Sequence, residues 1–122
     1  MGKILIVDDS STLRASVEFT LTGNGHEVLQ AEDGQKGLEV LKSCGENDIA
    51  MIITDINMPN MDGISMIKEI KKTPFKYTPI LVMTTEAEES KKAEGKEAGA
   101  SGWLIKPFKP EQLIGVVSKF VK

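Results

Sequence analysis

Four short clusters hold the side chains most able to do chemistry: Asp8-Asp9, Asp55, Thr84-Thr85 and Lys106-Pro107. Brought together, they would be three carboxylates, two hydroxyls and an amine. Three carboxylates in a partly desolvated cleft repel one another, so either one stays protonated or a cation neutralises them. Hard oxygen ligands with positions left to water suit Mg²⁺. The single histidine, His26, and single cysteine, Cys44, make a zinc site improbable. An amine and a hydroxyl beside a metal suit an incoming dianionic group, as in phosphoryl transfer. A carboxylate can itself be the nucleophile, forming an aspartyl phosphate. After Asp8-Asp9 the chain reads Ser10-Ser11-Thr12-Leu13, so there is neither a P-loop nor a dinucleotide fingerprint to cradle a nucleotide.

Each cluster alone has a plainer explanation. An acidic pair after a strand often only caps a helix, because anions favour helix N-termini. Lys106 alone reads as a solvated strand-end charge, and Thr84-Thr85 as residues of high β-propensity. His26 reads as a turn or edge residue, Cys44 as a helix-end hydrophobe, and the methionines as core or motif positions. The chemistry therefore depends on what positions the four clusters.

Five apolar runs predict strands: Lys3–Val7, Glu27–Ala31, Ala50–Thr54, Pro79–Thr84 and Gly102–Lys106. Their interiors are almost continuously apolar, as in strands covered on both faces. The second run, with Glu27, Gln30 and Glu32, reads as an edge. Helical stretches lie between them. Leu38 and Leu41 mark one. Ile64, Ile67 and Ile70 mark another, begun after Asp62-Gly63 and stopped before Pro74. Leu113, Val117 and Phe120 mark the last, with Pro110 in its first turn. The segment after Asp9 is ambiguous, because Leu13, Ala15, Val17, Phe19 and Leu21 alternate as a strand would. The Ser10-Ser11-Thr12 cap, the Gly23-Asn24-Gly25 stop and the segment's length favour a helix. Ala87–Ala98 is charged, with only small apolar residues, so a helix there buries little and is suited to move.

Strand–helix alternation implies a doubly wound parallel sheet of five strands with helices on both faces. Ligands then bind beyond the carboxyl ends of the strands, where all four clusters fall. With 122 residues the chain fits one domain, 1–122, without an effector domain. A net charge of −3 argues against binding nucleic acid through a bulk basic surface. One cysteine implies no disulfide. The run Ile4–Val7 is too short to span a membrane or to act as a signal peptide, so the cytoplasm is the expected location.

The motifs in order are Ile4–Asp9, Asp55-Ile56-Asn57-Met58-Pro59-Asn60-Met61-Asp62-Gly63, Val82–Glu86 and Gly99–Phe108. In these the chain resembles the receiver domains of two-component response regulators, most closely the stand-alone CheY-like chemotaxis regulators. The resemblance runs from the first strand to the last and implies a strand order of 2-1-3-4-5. It implies that Asp55 is the phosphoacceptor. Asp9, Asp55 and the main-chain carbonyl of Asn57 would ligate Mg²⁺, with Asp8 acting through metal-bound water. Thr84 would bond a phosphoryl oxygen, and Lys106 would pair with Asp55 before transfer and with the phosphoryl group after it. The Lys106–Pro107 peptide would be cis. Asn57 and Glu86 match the side chains that flank the water path to the acyl phosphate, implying a labile phosphate.

Three positions depart from the pattern. Trp103 stands where these regulators usually have tyrosine, at the aromatic that swings inward when Thr84 moves. Being larger, it reads either as a switch or as an ordinary half-buried aromatic. Ile56 replaces a tryptophan found after the phosphoacceptor in some relatives. Thr85 replaces a smaller residue and could slow donor access. The resemblance implies a CheA-like histidine kinase as donor, and output through a FliM-like flagellar motor switch protein. A phosphatase is a further partner, and the chain would act as a monomer. The docking surface would lie on the Ala87–Ala98 helix, the last strand and the last helix, where Ile114 and Val116 exceed the core stripe.

One alternative is a phosphorelay receiver passing phosphate to a histidine phosphotransfer protein. A more distant one is a small Mg²⁺-dependent aspartyl-phosphate phosphohydrolase. Its motif wants a second Asp two residues after the nucleophile, whereas Asp8 and Asp9 are adjacent.

Overall fold

A computed structural model describes residues 2–85 and 89–121. Strands and helices alternate along it: β1 Lys3–Val7, α1 Ser11–Gly23, β2 Val28–Ala31, α2 Gly34–Lys42, β3 Ile49–Thr54, α3 Gly63–Ile70, β4 Ile80–Thr84, α4 Glu89–Ala98, β5 Gly102–Ile105 and α5 Pro110–Phe120. The sheet is parallel, in the order β2-β1-β3-β4-β5. The chain thus steps outward from β1 in both directions, and the crevice where that direction changes opens above β1 and β3.

Alternation within each strand divides the core. Leu5, Val7, Ile52, Ile80 and Val82 point to one face, where they meet Leu41 of α2 and Ile64, Met66, Ile67 and Ile70 of α3. Ile4, Ile6, Met51, Ile53, Leu81 and Met83 point to the other, against Val17 and Leu21 of α1 and Leu113 and Val117 of α5. Covering both faces explains why the strands read as unbroken apolar runs. Each fully buried Leu or Ile adds about 1.5–3 kcal/mol of hydrophobic stabilisation, so this two-sided core holds the strand ends rigidly.

The first helix settles as a helix because its cap is made. The Ser10 side chain accepts from Leu13 N–H, and Asn24 N–H returns to carbonyls of the last turn. Its 3.6-residue period sends Val17 and Leu21 inward and leaves Phe19 81% exposed, which strand alternation would have buried. The last helix starts at Pro110 as expected, but Phe120 lies at its exposed end rather than in the core stripe. Helix α3 stops at Ile70, short of Pro74, and β5 stops at Ile105, one residue before Lys106. Of α4 only Gly95 is buried. Cys44 is half-buried just beyond α2, packed at the core's margin, and His26 is half-buried before β2. Among the described residues no helix is long and apolar enough to cross a membrane.

Candidate functional site

The carboxyl ends of β1, β3 and β5 meet in one place. Asp8, just past β1, is fully buried; Asp55, just past β3, is 8% exposed; Asp9 faces solvent beside them. Each offers a carboxylate oxygen within 4.8 Å of the other two. Lys106, carried past β5, reaches across the crevice, its Nζ 2.8 Å from Asp8 Oδ2 and 2.9 Å from Asp55 Oδ2. The peptide joining Lys106 to Pro107 is cis, as the resemblance implied. The pairing with Asp55 was anticipated. The second one, with Asp8, was not, because spacing alone cannot say which of two adjacent carboxylates turns inward.

The backbone orients these groups. Asp55 N–H donates to Val7 O at 3.0 Å, tying the β3 end to β1. Asp55 Oδ1 accepts from Ile56 N–H at 2.6 Å, which fixes the carboxylate's rotation and leaves Oδ2 toward Lys106. Asp8 Oδ1 accepts from Ser10 N–H at 2.9 Å, and its Oδ2 takes Lys106. The Arg14 guanidinium, from α1, donates to the Asp8 main-chain carbonyl. Arg14 and Ser10 escaped the sequence reading as site residues. The only signal was their position at the cap and one turn into the helix that follows the acidic pair.

Burial alone would push the Lys106 ammonium down, but its hydrogen bonds to Asp8 and Asp55, and their charge, outweigh this and hold it above the usual lysine value. It therefore stays charged. Three carboxylates against one ammonium leave two negative charges in a crevice, and every donor atom there is a hard oxygen. That set fits a divalent cation of the Mg²⁺ kind.

Thr84 is buried at the end of β4, and its carbonyl accepts from Lys106 N–H at 2.8 Å. Thr85, next to it, is exposed at the mouth, as is Asn57 after Asp55. Trp103 lies on β5, paired with Val82. It is half-buried, and its ring packs over Gly95, where an added Cβ would come within 2.6 Å of Cζ3. That glycine is what lets the indole lie against α4. Glu86 and Ala87 lie outside the described residues.

The geometry has counterparts in known proteins. The family model described as the response regulator receiver domain matches residues 4–118. The chain belongs to the response regulator receiver family. Among curated receivers, the chemotaxis protein CheY1 of Helicobacter pylori is 39% identical over 113 residues, 91% of this chain and 90% of that protein. A chemotaxis protein CheY homolog of Campylobacter jejuni is 37% identical, over 91% of this chain and 85% of its own. The solved structure of the chemotaxis protein CheY4 of Vibrio cholerae superposes with a TM-score of 0.91 at 42% identity, covering 99% of both chains. The receiver's sheet order and CheY-like architecture are thus those the sequence implied.

Proposed function

We propose that residues 1–122 act as one receiver that accepts phosphate from a histidine kinase on Asp55 and signals by binding a partner protein in the cytoplasm. The observation that carries this reading is Lys106 Nζ bridging Asp8 and Asp55 at 2.8 and 2.9 Å, with Asp9 alongside. Such a site holds a carboxylate in line and a cation beside it, which is the requirement for acyl-phosphate formation.

In this reading an Asp55 oxygen attacks the phosphorus of the kinase's phosphohistidine. The phosphorus–nitrogen bond breaks, the imidazole leaves with its electron pair, and the phosphoryl group stays on Asp55. Asp9, Asp55 and the Asn57 carbonyl would hold Mg²⁺ directly and Asp8 through water. Bound there, the ion supplies charge neutralisation to acceptor and phosphoryl oxygens. Lys106 leaves its carboxylate partners to pair with the new phosphoryl oxygens. Thr84 supplies a hydroxyl to one of them. The chain thereby catalyses its own phosphorylation and its own dephosphorylation, the latter tuned by the Asn57 and Glu86 side chains.

Output would run through the face formed by α4, β5 and α5. Helix α4 is weakly anchored, Trp103 rests on it, and Ile105 is 37% exposed. Val116 packs against the core and widens that face instead, while Ile114 is half-buried. Trp103 is the proposed switch aromatic. The near full-length similarity to chemotaxis proteins favours a FliM-like motor switch as partner, with a CheA-like kinase as donor and a phosphatase ending the signal. The second reading, a phosphorelay receiver, differs in where the phosphate goes. Labelled phosphokinase mixed with the chain, with and without a histidine phosphotransfer protein, separates the two. We expect label on Asp55 that water removes. Back-transfer to the phosphotransfer protein outpacing hydrolysis would overturn the chemotaxis reading, and no transfer at all would overturn both.

A further inference from the structure

We propose that the Asp33–Asn60 pair is a latch that sets the site's affinity for a divalent cation without touching the ion. The inference rests on reading the acidic cluster as a Mg²⁺ site.

Asp33 lies before α2 and is only 4% exposed. Its two oxygens serve two different elements. Oδ1 accepts from Lys36 N–H at 2.8 Å, capping α2, and Oδ2 accepts from Asn60 Nδ2 at 2.8 Å. Asn60 stands in the β3–α3 loop with a φ of 67°, the one non-glycine residue in the left-handed region among those described. Asparagine is among the few non-glycine residues that enter this region readily, and the bond to a buried carboxylate fixes it there. The contact continues at the neighbouring residues, where a Cβ on Gly34 would come within 2.8 Å of Met61 O. The loop is thus pressed onto the start of α2 over two residues.

Its other end is pinned too. Gly63 N–H donates to Ile56 O at 2.8 Å, and Ile56 N–H holds Asp55 Oδ1. Asn57, whose carbonyl is the expected main-chain ligand, lies between the two pins. A carbonyl ligand on a loose loop must be ordered when the ion binds, and that ordering opposes binding. A pinned loop presents the carbonyl already in place. Groups that orient a ligand from behind commonly change metal affinity by about 10–100-fold when removed. Asn60 acts on one ligand of several, so the lower end of that range applies.

Asn60→Gly is the discriminating variant. Glycine adopts the left-handed backbone freely and leaves the Asp33–Lys36 cap intact, so the variant removes the amide bond without straining the backbone, while also freeing the loop. Mg²⁺ dissociation constants would be measured by calorimetry on the unphosphorylated full chain, beside the thermal melt and the rate of phosphorylation by a small phosphodonor at saturating Mg²⁺. The expected result is affinity weakened about tenfold, with the saturated rate close to wild type and the melt lowered only modestly, since the Asp33 cap on α2 remains. Asp33→Asn keeps one oxygen for Lys36 N–H, and its amide can donate to a flipped Asn60 Oδ1, so it should weaken binding less. Wild-type affinity in Asn60→Gly, or a lost saturated rate at unchanged affinity, would overturn the latch. A wild-type chain that takes up no Mg²⁺ would instead overturn the reading of the cluster, and the latch with it.

Discussion

Glycine 63 should be the least replaceable small residue near the site. A Cβ there would lie 2.0 Å from Asp55 O, 2.9 Å from Ile56 Cα and 3.0 Å from Asp55 C. All three are main-chain atoms of the phosphoacceptor's own segment, so no side-chain rotation relieves the clash. A tolerable carbon–oxygen approach is about 3.3 Å, so Asp55 or the start of α3 must move by roughly 1.3 Å. Two effects of opposite sign compete in Gly63→Ala. Helix propensity favours alanine by about 1 kcal/mol. Overpacking against a rigid strand end costs about 3 kcal/mol. The clash wins by about 2 kcal/mol, a fall in Tm of roughly 8 °C for a chain of this size. A shift of this size at the nucleophile should slow phosphorylation about 10²-fold. Gly115→Ala, in the middle of α5, is the matched control, because nothing lies within 4 Å of its Cβ. It should gain about 0.5–1 kcal/mol. Thermal melts and phosphodonor time courses on both variants read the outcome. If the two substitutions shift Tm in the same direction, the steric argument for Gly63 is wrong.

Other consequences follow from the same contacts. Lys106→Met leaves the Asp8 and Asp55 carboxylates, 1% and 11% exposed at the side chain, facing each other without their cation. In metal-free buffer at neutral pH it should lose about 3 kcal/mol by urea denaturation, with part recovered on adding Mg²⁺; unchanged stability would contradict the pairing. The Lys36 N–H and then the Asn60 amide hold the Asp33 carboxyl below the usual carboxylate range. Its contribution is therefore present above the unfolded value of about 3.9 and fades as pH falls through the lower folded value. The stability gap between wild type and Asp33→Asn should hold level from pH 6 to about 5 and narrow as pH falls below about 4, and a gap that stays level throughout would refute this. Gly95→Ala should displace the Trp103 ring from α4 and shift its emission in the unphosphorylated protein; an identical spectrum would place the indole elsewhere.

Much of this was legible in residue order because the physics involved is local. Strands covered on both faces announce themselves as apolar runs, and the strand-end position of Asp8, Asp55, Thr84 and Lys106 follows from the parallel sheet. The residues that were missed depend on tertiary approach. Ser10 read as an ordinary cap and Asp33 was not singled out, because nothing in the spacing reveals that Asp33 holds Asn60 from 27 positions away. Gly63 reads as a helix start, while its actual constraint is the carbonyl of Asp55 beneath it. Phe19 shows the opposite case, where a strand-like alternation gave way because the Ser10 cap and the apolar face of α1 suit a helix. Lys106 illustrates a partial reading: its pairing with Asp55 came by resemblance, but its second bond to Asp8 required coordinates.

The central claim is that Asp55 accepts a phosphoryl group within this cluster. Intact mass after incubation with a small phosphodonor tests it, with and without Mg²⁺, on wild type and Asp55→Ala. The account predicts one phosphoryl adduct that requires Mg²⁺ and is absent from the variant. An adduct that survives Asp55→Ala, or no adduct under any condition, would contradict it.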